Sequence, residues 1–385
     1  MDARKSSIAA RAAWPSVVGM FDDIDRKALG GGIKWGNVDP GVLPAWIADM
    51  DFPVAPPIRE AVQQRLDYLG YPRWDDTPAL NPLRESFAGW MQRHHSVTLD
   101  PSRMHVFTEL IQALQVVLHL GTRPGDLVAM HCPAYPPFLK TIERMGRRLL
   151  PIPMTDTPDG WAFDPERAAG AKALVLVNPH NPTGRVMSHA ELSALAEVAE
   201  RDGMLVVSDE IHADLTYEPH RHVPFASLLD RTITLSSASK AFNLAGLRCS
   251  VAHIGDARVR DALAAMPPQM FGEVSSLSVA ATVAAWQQGD QWLDEARRTL
   301  TRNRDLLATG LPPGVRHHTP EATYLAWLDC RALDLGTDPA AHFLKHSGVR
   351  LSPGPDFGPG GEGFARLNFA TGLPVLQEIL HRLSG

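Results

Sequence analysis

The 385-residue chain is poor in cysteine: it has three, Cys132, Cys249 and Cys330, widely spaced and without a CxxC pair. An odd, scattered set argues against a disulfide framework or a cysteine zinc site and suits a reducing cytoplasm. Long hydrophobic runs are missing too, none approaching the ~18 apolar residues of a membrane helix. No excess of one charge stands out, since 37 basic side chains against 43 acidic ones leave −6. Such a mildly acidic balance argues against a general nucleic-acid binder. Repeats and low-complexity tracts are absent, as are GxSxG, a Walker A loop and HExxH. What is present is ordinary globular composition, 44% hydrophobic and 21% charged, which excludes wholesale disorder. At ~150 residues per domain the length implies two or three domains. Residues 1–20, with Arg4, Lys5 and Arg11 against Asp2 and with Pro15 as a helix breaker, are expected to form a mobile arm rather than a targeting segment.

From about residue 50 to 255, short aliphatic or β-branched runs alternate with helical patterns. The strand candidates are 127–130, 173–177, 204–208, 232–236 and 249–254, with helical segments such as 137–145 and 190–201 between them. Continuous apolar strands separated by helices imply burial on both faces and hence a largely parallel α/β sheet. A long charged helix is expected over 287–311, closed by Gly310 and Pro312-Pro313. A strand at Thr323–Cys330, a Gly/Pro-rich loop, a strand at 366–369 and a last helix from Pro374 complete a smaller α+β unit. The division expected is 50–288 for the large domain, with 1–49 and 289–385 forming the arm and small domain.

In an open α/β sheet, ligands sit beyond the carboxyl ends of the strands. After 173–177 stands Asn178-Pro179-His180-Asn181-Pro182-Thr183-Gly184; after 204–208, Asp209-Glu210-Ile211-His212; after 232–236, Ser237-Ala238-Ser239-Lys240. Each alone reads equally as a turn, a helix start or a cap. Together and in this order they resemble the fold type I pyridoxal-phosphate (PLP) enzymes, the aspartate-aminotransferase superfamily. Ile33-Lys34-Trp35, the stretch Leu43-Pro44-Ala45-Trp46-Ile47-Ala48-Asp49-Met50-Asp51-Phe52, Gly70-Tyr71-Pro72 and Thr323-Tyr324-Leu325-Ala326-Trp327 resemble more narrowly the MalY/PatB group of cysteine-conjugate β-lyases.

The resemblance implies roles residue by residue. Lys240 would carry the cofactor and act as base, because an enclosed amine near cations has a lowered pKa. Asp209 would hold the pyridine nitrogen protonated, and Asn181 would donate to the ring's phenolate oxygen. His212 stands where many relatives have tyrosine; Tyr135 would stack on the ring. Ser237, Ser239 and Arg248 would hold the phosphate with the backbone N–H groups of Leu110 and Ile111. Glu109 departs from the neutral residue of the relatives, and its side chain is expected to point away. Tyr71 would reach the neighbouring subunit's phosphate, implying a homodimer. Arg366 would clamp the substrate's α-carboxylate, with Trp46 and the Ala48-Asp49 stretch lining the pocket and Tyr324 nearby.

These residues supply what an amino-acid substrate needs up to loss of its Cα proton, and by themselves leave transamination and β-elimination both open. The choice toward C–S β-elimination, giving thiol, pyruvate and ammonia, comes from the MalY/PatB resemblance. Arg248 leans toward an aminotransferase. An oxidative or decarboxylating variant of secondary metabolism and a non-catalytic PLP-binding protein also stay open. No metal is expected: His94-His95 and His317-His318 are read as surface residues whose side chains diverge. Gly358–Gly363 fits GxGxxG by letter but contains proline and opens no helix.

Overall fold

The computed structural model describes residues 21–72 and 81–385; the expected mobile arm, 1–20, lies outside the described residues. Its centre is a seven-stranded sheet formed by β1 (Met104–Phe107), β2 (Leu127–Cys132), β3 (Arg148–Pro153), β4 (Ala173–Val177), β5 (Leu205–Asp209), β6 (Ile233–Ser236) and β7 (Ser250–Ile254). The spatial order is β1-β7-β6-β5-β4-β2-β3. All are parallel except β7, which runs antiparallel to both β1 and β6. Residues of β4, β5, β6 and β7 are all buried, as helix-covered strands require.

The five strands expected from sequence are present. β1 and β3 were not anticipated, and both are sheet edges. β3 contains Pro151 and Pro153, tolerable only where one side of the ladder is free. Helix α1 (Leu110–Gly121) follows β1, α2 (Pro136–Arg144) follows β2, and α3 (His189–Arg201) lies between β4 and β5. α3 starts with a capping box, Ser188 and Glu191 each bonding the other's backbone N–H.

The long helix expected over 287–311 is present as α5 (Asp290–Gly310); a separate helix not anticipated, α4 (Ser276–Gln288), precedes it, and the two meet at Gly289. A Cβ there would sit 2.4 Å from the Ala285 carbonyl oxygen and 2.4 Å from Phe242, so the joint fits only glycine.

A three-stranded antiparallel sheet of β8 (Leu325–Asp329), β9 (Ser352–Pro353) and β10 (Phe364–Asn368) has β10 in the middle. The GxGxxG lookalike feeds β10 and opens no helix. Leu43–Pro44 pairs in parallel with Val349–Arg350 and brings the following segment against this sheet. No helix among the described residues is long and apolar enough to cross a membrane.

Candidate active site

Strand direction explains why the site forms. The carboxyl ends of β1, β2, β4, β5 and β6 share one edge, and antiparallel β7 brings its amino end there, since Ser250 pairs with Phe107. Thr108 and Glu109, Tyr135, Asn181, Asp209, Lys240 and Arg248 therefore converge from six strands on one cleft. Its empty volume, counted out to solvent, is about 820 Å³.

Lys240 lies in a short helix, Ala238–Ala241, that Ser237 caps. Its amine donates to the Ala48 carbonyl at 2.7 Å. Burial lowers its pKa to about 8, helped by Arg366 and opposed by Asp49 and Asp209. Asp209, last residue of β5, is buried and accepts from the Ile211 N–H at 3.1 Å. Burial holds its carboxyl up to about 7, and the Glu210 charge adds to this. That penalty disappears if a cation meets the carboxylate. His212, also buried, is pushed down to about 3 by burial and by the charges of Lys240 and Arg366, and so is neutral. Its Nδ1 is buried with no partner among the described residues, an orphan that a bound group would satisfy.

At the other end, α1 opens at Leu110 with Glu109 as its cap residue. The N–H groups of Leu110 and Ile111 lie in a first turn, which has no acceptor one turn back, and both residues line the cleft. The Ser237 hydroxyl donates to the Cys249 carbonyl at 2.5 Å and accepts from the Ser239 N–H at 3.1 Å. Ser239 and Arg248 stand on the same wall. The expectation that Glu109 would turn away fails: its carboxylate lines the cleft and accepts from Arg248 Nη1 at 2.6 Å. A guanidinium without another anion nearby recruits the nearest carboxylate.

Arg366, in the centre of β10, is buried. Nη1 donates to Asn181 Oδ1 at 3.0 Å, and Nη2 donates to the Trp46 carbonyl at 3.0 Å and to Ser352 Oγ at 3.2 Å. Because a guanidinium only donates, the Asn181 oxygen must face it, leaving the amide nitrogen to donate elsewhere. Arg366 and Trp46 stand behind the cleft wall rather than on it: Trp46 offers its carbonyl to Arg366, while its ring lies under Arg350 at 4.0 Å. Arg366 Nε is buried and has no hydrogen-bond partner among the described residues.

Of the other expected residues, Tyr135, His212 and Ala48 line the cleft, and Tyr324 donates to the Ala48 carbonyl at 3.1 Å. Burial raises the Tyr135 phenol. Tyr71 is 95% exposed and does not line this cleft. Thr108, Phe138, Ile211, Ala245 and Cys249 line the cleft without having been anticipated. Thr108, Ile211 and Cys249 are immediate neighbours of expected residues; Phe138 and Ala245 have no sequence signal.

One further correction concerns His95. It is no surface histidine: its side chain is 7% exposed and bonds Asp214 at 2.9 Å. His94 stacks on Trp90 at 3.8 Å.

The Ile33-Lys34-Trp35 and residue 46–52 motifs explain each other. Lys34 Nζ pairs with Asp51 at 3.0 Å and donates to the Asp49 carbonyl at 3.1 Å, both partners in the ion pair being buried. Trp35 Nε1 donates to the same Asp51 oxygen at 2.8 Å. Asn368 Nδ2 takes the carbonyls of Ile47 and Asp49, and Asn243 Nδ2 those of Met50 and Phe52. An irregular strap is thus fixed across the lysine by side chains that satisfy its backbone.

The family model of aminotransferase class I and II matches residues 47–383. Cystathionine β-lyase PatB of Bacillus subtilis is 36% identical, the match covering 94% of this chain and 98% of that protein. The structure of OvoB superimposes with a TM-score of 0.88 at 35% identity over 94% of this chain and 97% of that one. Cystalysin of Treponema denticola, solved with pyridoxal 5'-phosphate, gives 0.87 at 28% identity over 94% and 97%. The type I fold and the MalY/PatB-like likeness expected from the motifs are borne out, and the chain belongs to the aminotransferase class I and II family.

Proposed function

We propose that this chain is a PLP-dependent carbon–sulfur β-lyase that cleaves cystathionine or a cysteine S-conjugate into thiol, pyruvate and ammonia. The observation that carries the reading is the placing of Lys240 and Asp209 on one cleft, with the first turn of α1 at one end and Arg366 behind Asn181. The unpartnered Nδ1 of His212, the free first-turn N–H groups and the unspent Asn181 amide are what such a cofactor would satisfy. When bound, the cofactor supplies an electrophilic carbonyl and an electron-accepting ring.

The residues do the rest. Lys240, with its pKa lowered to about 8, is a usable nucleophile and proton acceptor near neutral pH. Asp209 would keep a ring nitrogen cationic, and the Asn181 amide would donate to a phenolate oxygen. Tyr135 would cover a ring face with His212 beside it, and Ser237, Ser239, Arg248, Leu110 and Ile111 would hold a phosphate. Arg366 would bind the substrate α-carboxylate, with Ala48 and Trp46 fixing the strap over it.

The large unit is assigned 50–288, which contains the seven-stranded sheet. The small unit is 289–385 with 1–49, which contains the three-stranded one. The working form is a homodimer: Tyr71, exposed with Tyr68 and Leu69, would cross to the partner's phosphate. Three buried unpaired cysteines suit a cytoplasmic setting.

The rival reading is an aminotransferase, favoured by the presence of Arg248 at the cleft. Purified protein given L-cystathionine without a keto acid should yield stoichiometric pyruvate and thiol; turnover only on adding a keto acceptor would replace the lyase with the aminotransferase.

A further inference from the structure

Beyond the carboxyl ends of β4 and β5 the two chains part. The last main-chain bond between them runs from the Asn178 N–H to the Asp209 carbonyl at 3.0 Å. From there one turn leads to Asn181 and the other through Glu210 to His212, and the ladder no longer holds them together. A bridge of side chains takes over. Asn178 Nδ2 lies 3.5 Å from His222 Nδ1, and His222 Nε2 lies 3.1 Å from Glu210 Oε2. All three side chains are buried.

The surrounding bonds leave each hydrogen one place to go. The Asn178 oxygen accepts from the Met187 N–H at 2.9 Å, so its amide nitrogen is the group that faces His222. His222 Nδ1 must then accept, and the ring hydrogen sits on Nε2, where it donates to Glu210. Glu210 also accepts from the Ser208 hydroxyl at 2.9 Å and from the Phe225 N–H at 3.0 Å. The His222 ring is steadied by His95, edge to face at 5.4 Å, which itself bonds Asp214 at 2.9 Å.

None of the three bridge residues lines the cleft, but Asp209, next to Glu210, and Asn181, three residues after Asn178, both do. We propose that His222 is a positioning residue for the reaction proposed above. As the Nε2–H tautomer it ties the turn carrying Asp209 to the turn carrying Asn181, and so sets the spacing of two groups assigned to the cofactor ring. The setting reaches the substrate end as well, because the Asn181 oxygen accepts from Arg366 Nη1 at 3.0 Å. A shift of about 1 Å at a reacting group costs about 10²-fold in rate, so a buried strut outside the cleft has a measurable effect inside it.

Two substitutions take the bridge apart one end at a time. A glutamine amide reaches where Nε2 stood and keeps a donor for Glu210 while dropping Asn178; an asparagine amide sits where Nδ1 stood and does the reverse. His222→Gln should therefore loosen the Asn181 turn, raising KM for L-cystathionine about tenfold through Arg366 and weakening PLP binding by less than about threefold. His222→Asn should loosen the Asp209 turn, lowering kcat about 10- to 100-fold and weakening PLP, read by fluorescence titration, about tenfold. A keto acceptor is supplied if turnover requires one. The same pattern of loss in both variants would mark a merely structural residue, and wild-type behaviour in both would show that the bridge holds nothing; either result overturns the proposal.

A measurement on unsubstituted, cofactor-free protein does not depend on the variants folding. Nitrogen NMR of the histidines at about pH 8, above the ordinary histidine range, should show the His222 ring with hydrogen on Nε2 and none on Nδ1. The signal is assigned by its through-space contact with the His95 ring. The Nδ1–H form, or a ring protonated at both nitrogens, overturns the assignment. The inference rests on the cofactor reading of the cleft and not on the choice between lyase and aminotransferase. Wild type that takes up no PLP sinks that reading and the inference with it, whereas PLP uptake with the wrong tautomer sinks the inference alone.

Discussion

Acid should unfold this protein earlier than its carboxylates alone would require, because several buried histidines are held neutral. His180 is pushed down to about 3 and His105 and His253 to about 4, chiefly by burial. His212 falls to about 3 and His131 is also well below its ordinary value, again through burial. In the unfolded chain each titrates near 6.5, so between that pH and the folded value the unfolded state binds the extra proton. Stability then falls by about 1.4 kcal/mol per pH unit per group. Asp209 works the other way in the cofactor-free protein: its carboxyl, raised to about 7, keeps a proton the unfolded chain releases. Raised Asp49 acts likewise. Five histidines against Asp209 leave a net of about four, or about 4–5 kcal/mol between pH 6 and pH 5, which any proton retained by Asp49 would reduce. Against a typical 5–15 kcal/mol this is a large share. Guanidinium titrations of cofactor-free protein at pH 6 and pH 5 measure it directly. Equal midpoints and slopes at the two pH values would refute the neutral-histidine account. His180→Gln should reduce the pH dependence by about one proton's worth.

Cofactor chemistry gives three shorter expectations. The rate at which added PLP develops its visible band should rise with pH through about 8, because only neutral Lys240 attacks; a rate that falls over this range contradicts the assignment. Arg366→Lys loses the forked contact and should lower kcat/KM by about 10- to 100-fold, in line with ~1.5–3 kcal/mol for a charged hydrogen bond. The effect should be mostly in KM, and an unchanged KM would speak against α-carboxylate binding. Glu109→Gln removes the anion that competes for Arg248. PLP affinity by fluorescence titration should tighten a few-fold, the modest size reflecting two exposed partners; weaker binding would show Glu109 to be a supporting residue.

The parts of the fold that were legible in the sequence are those where one local rule decides. β4 to β7 are buried on both faces, and nothing but a continuous apolar run satisfies that. β1 and β3 escaped because edge strands face fewer demands: one is four residues with a histidine, the other carries two prolines. That β7 runs antiparallel, which is what brings Arg248 to the cleft, has no local signature. The start of the long helix was placed at 287 rather than 290 because nothing local marks the joint at Gly289, which is set by Phe242, far away in sequence.

The site follows the same logic. Asn181, Asp209 and Lys240 were found because each follows a readable strand. Asn368, Ser352 and Asn243, which hold the strap and Arg366, depend on segments that meet only in the folded chain. Glu109 was misplaced because charge repulsion from a phosphate was weighed while attraction to Arg248 was not. His95 was misplaced because Asp214, its partner, lies 119 residues away.

The central claim is that one amine, Lys240, carries the cofactor. Reduction of the PLP-loaded protein with borohydride, followed by proteolysis and mass spectrometry, tests it most directly. The account predicts one pyridoxyl-phosphate group per chain, on the peptide containing Lys240. Modification of Lys34 or another lysine instead, or none at all, would contradict it.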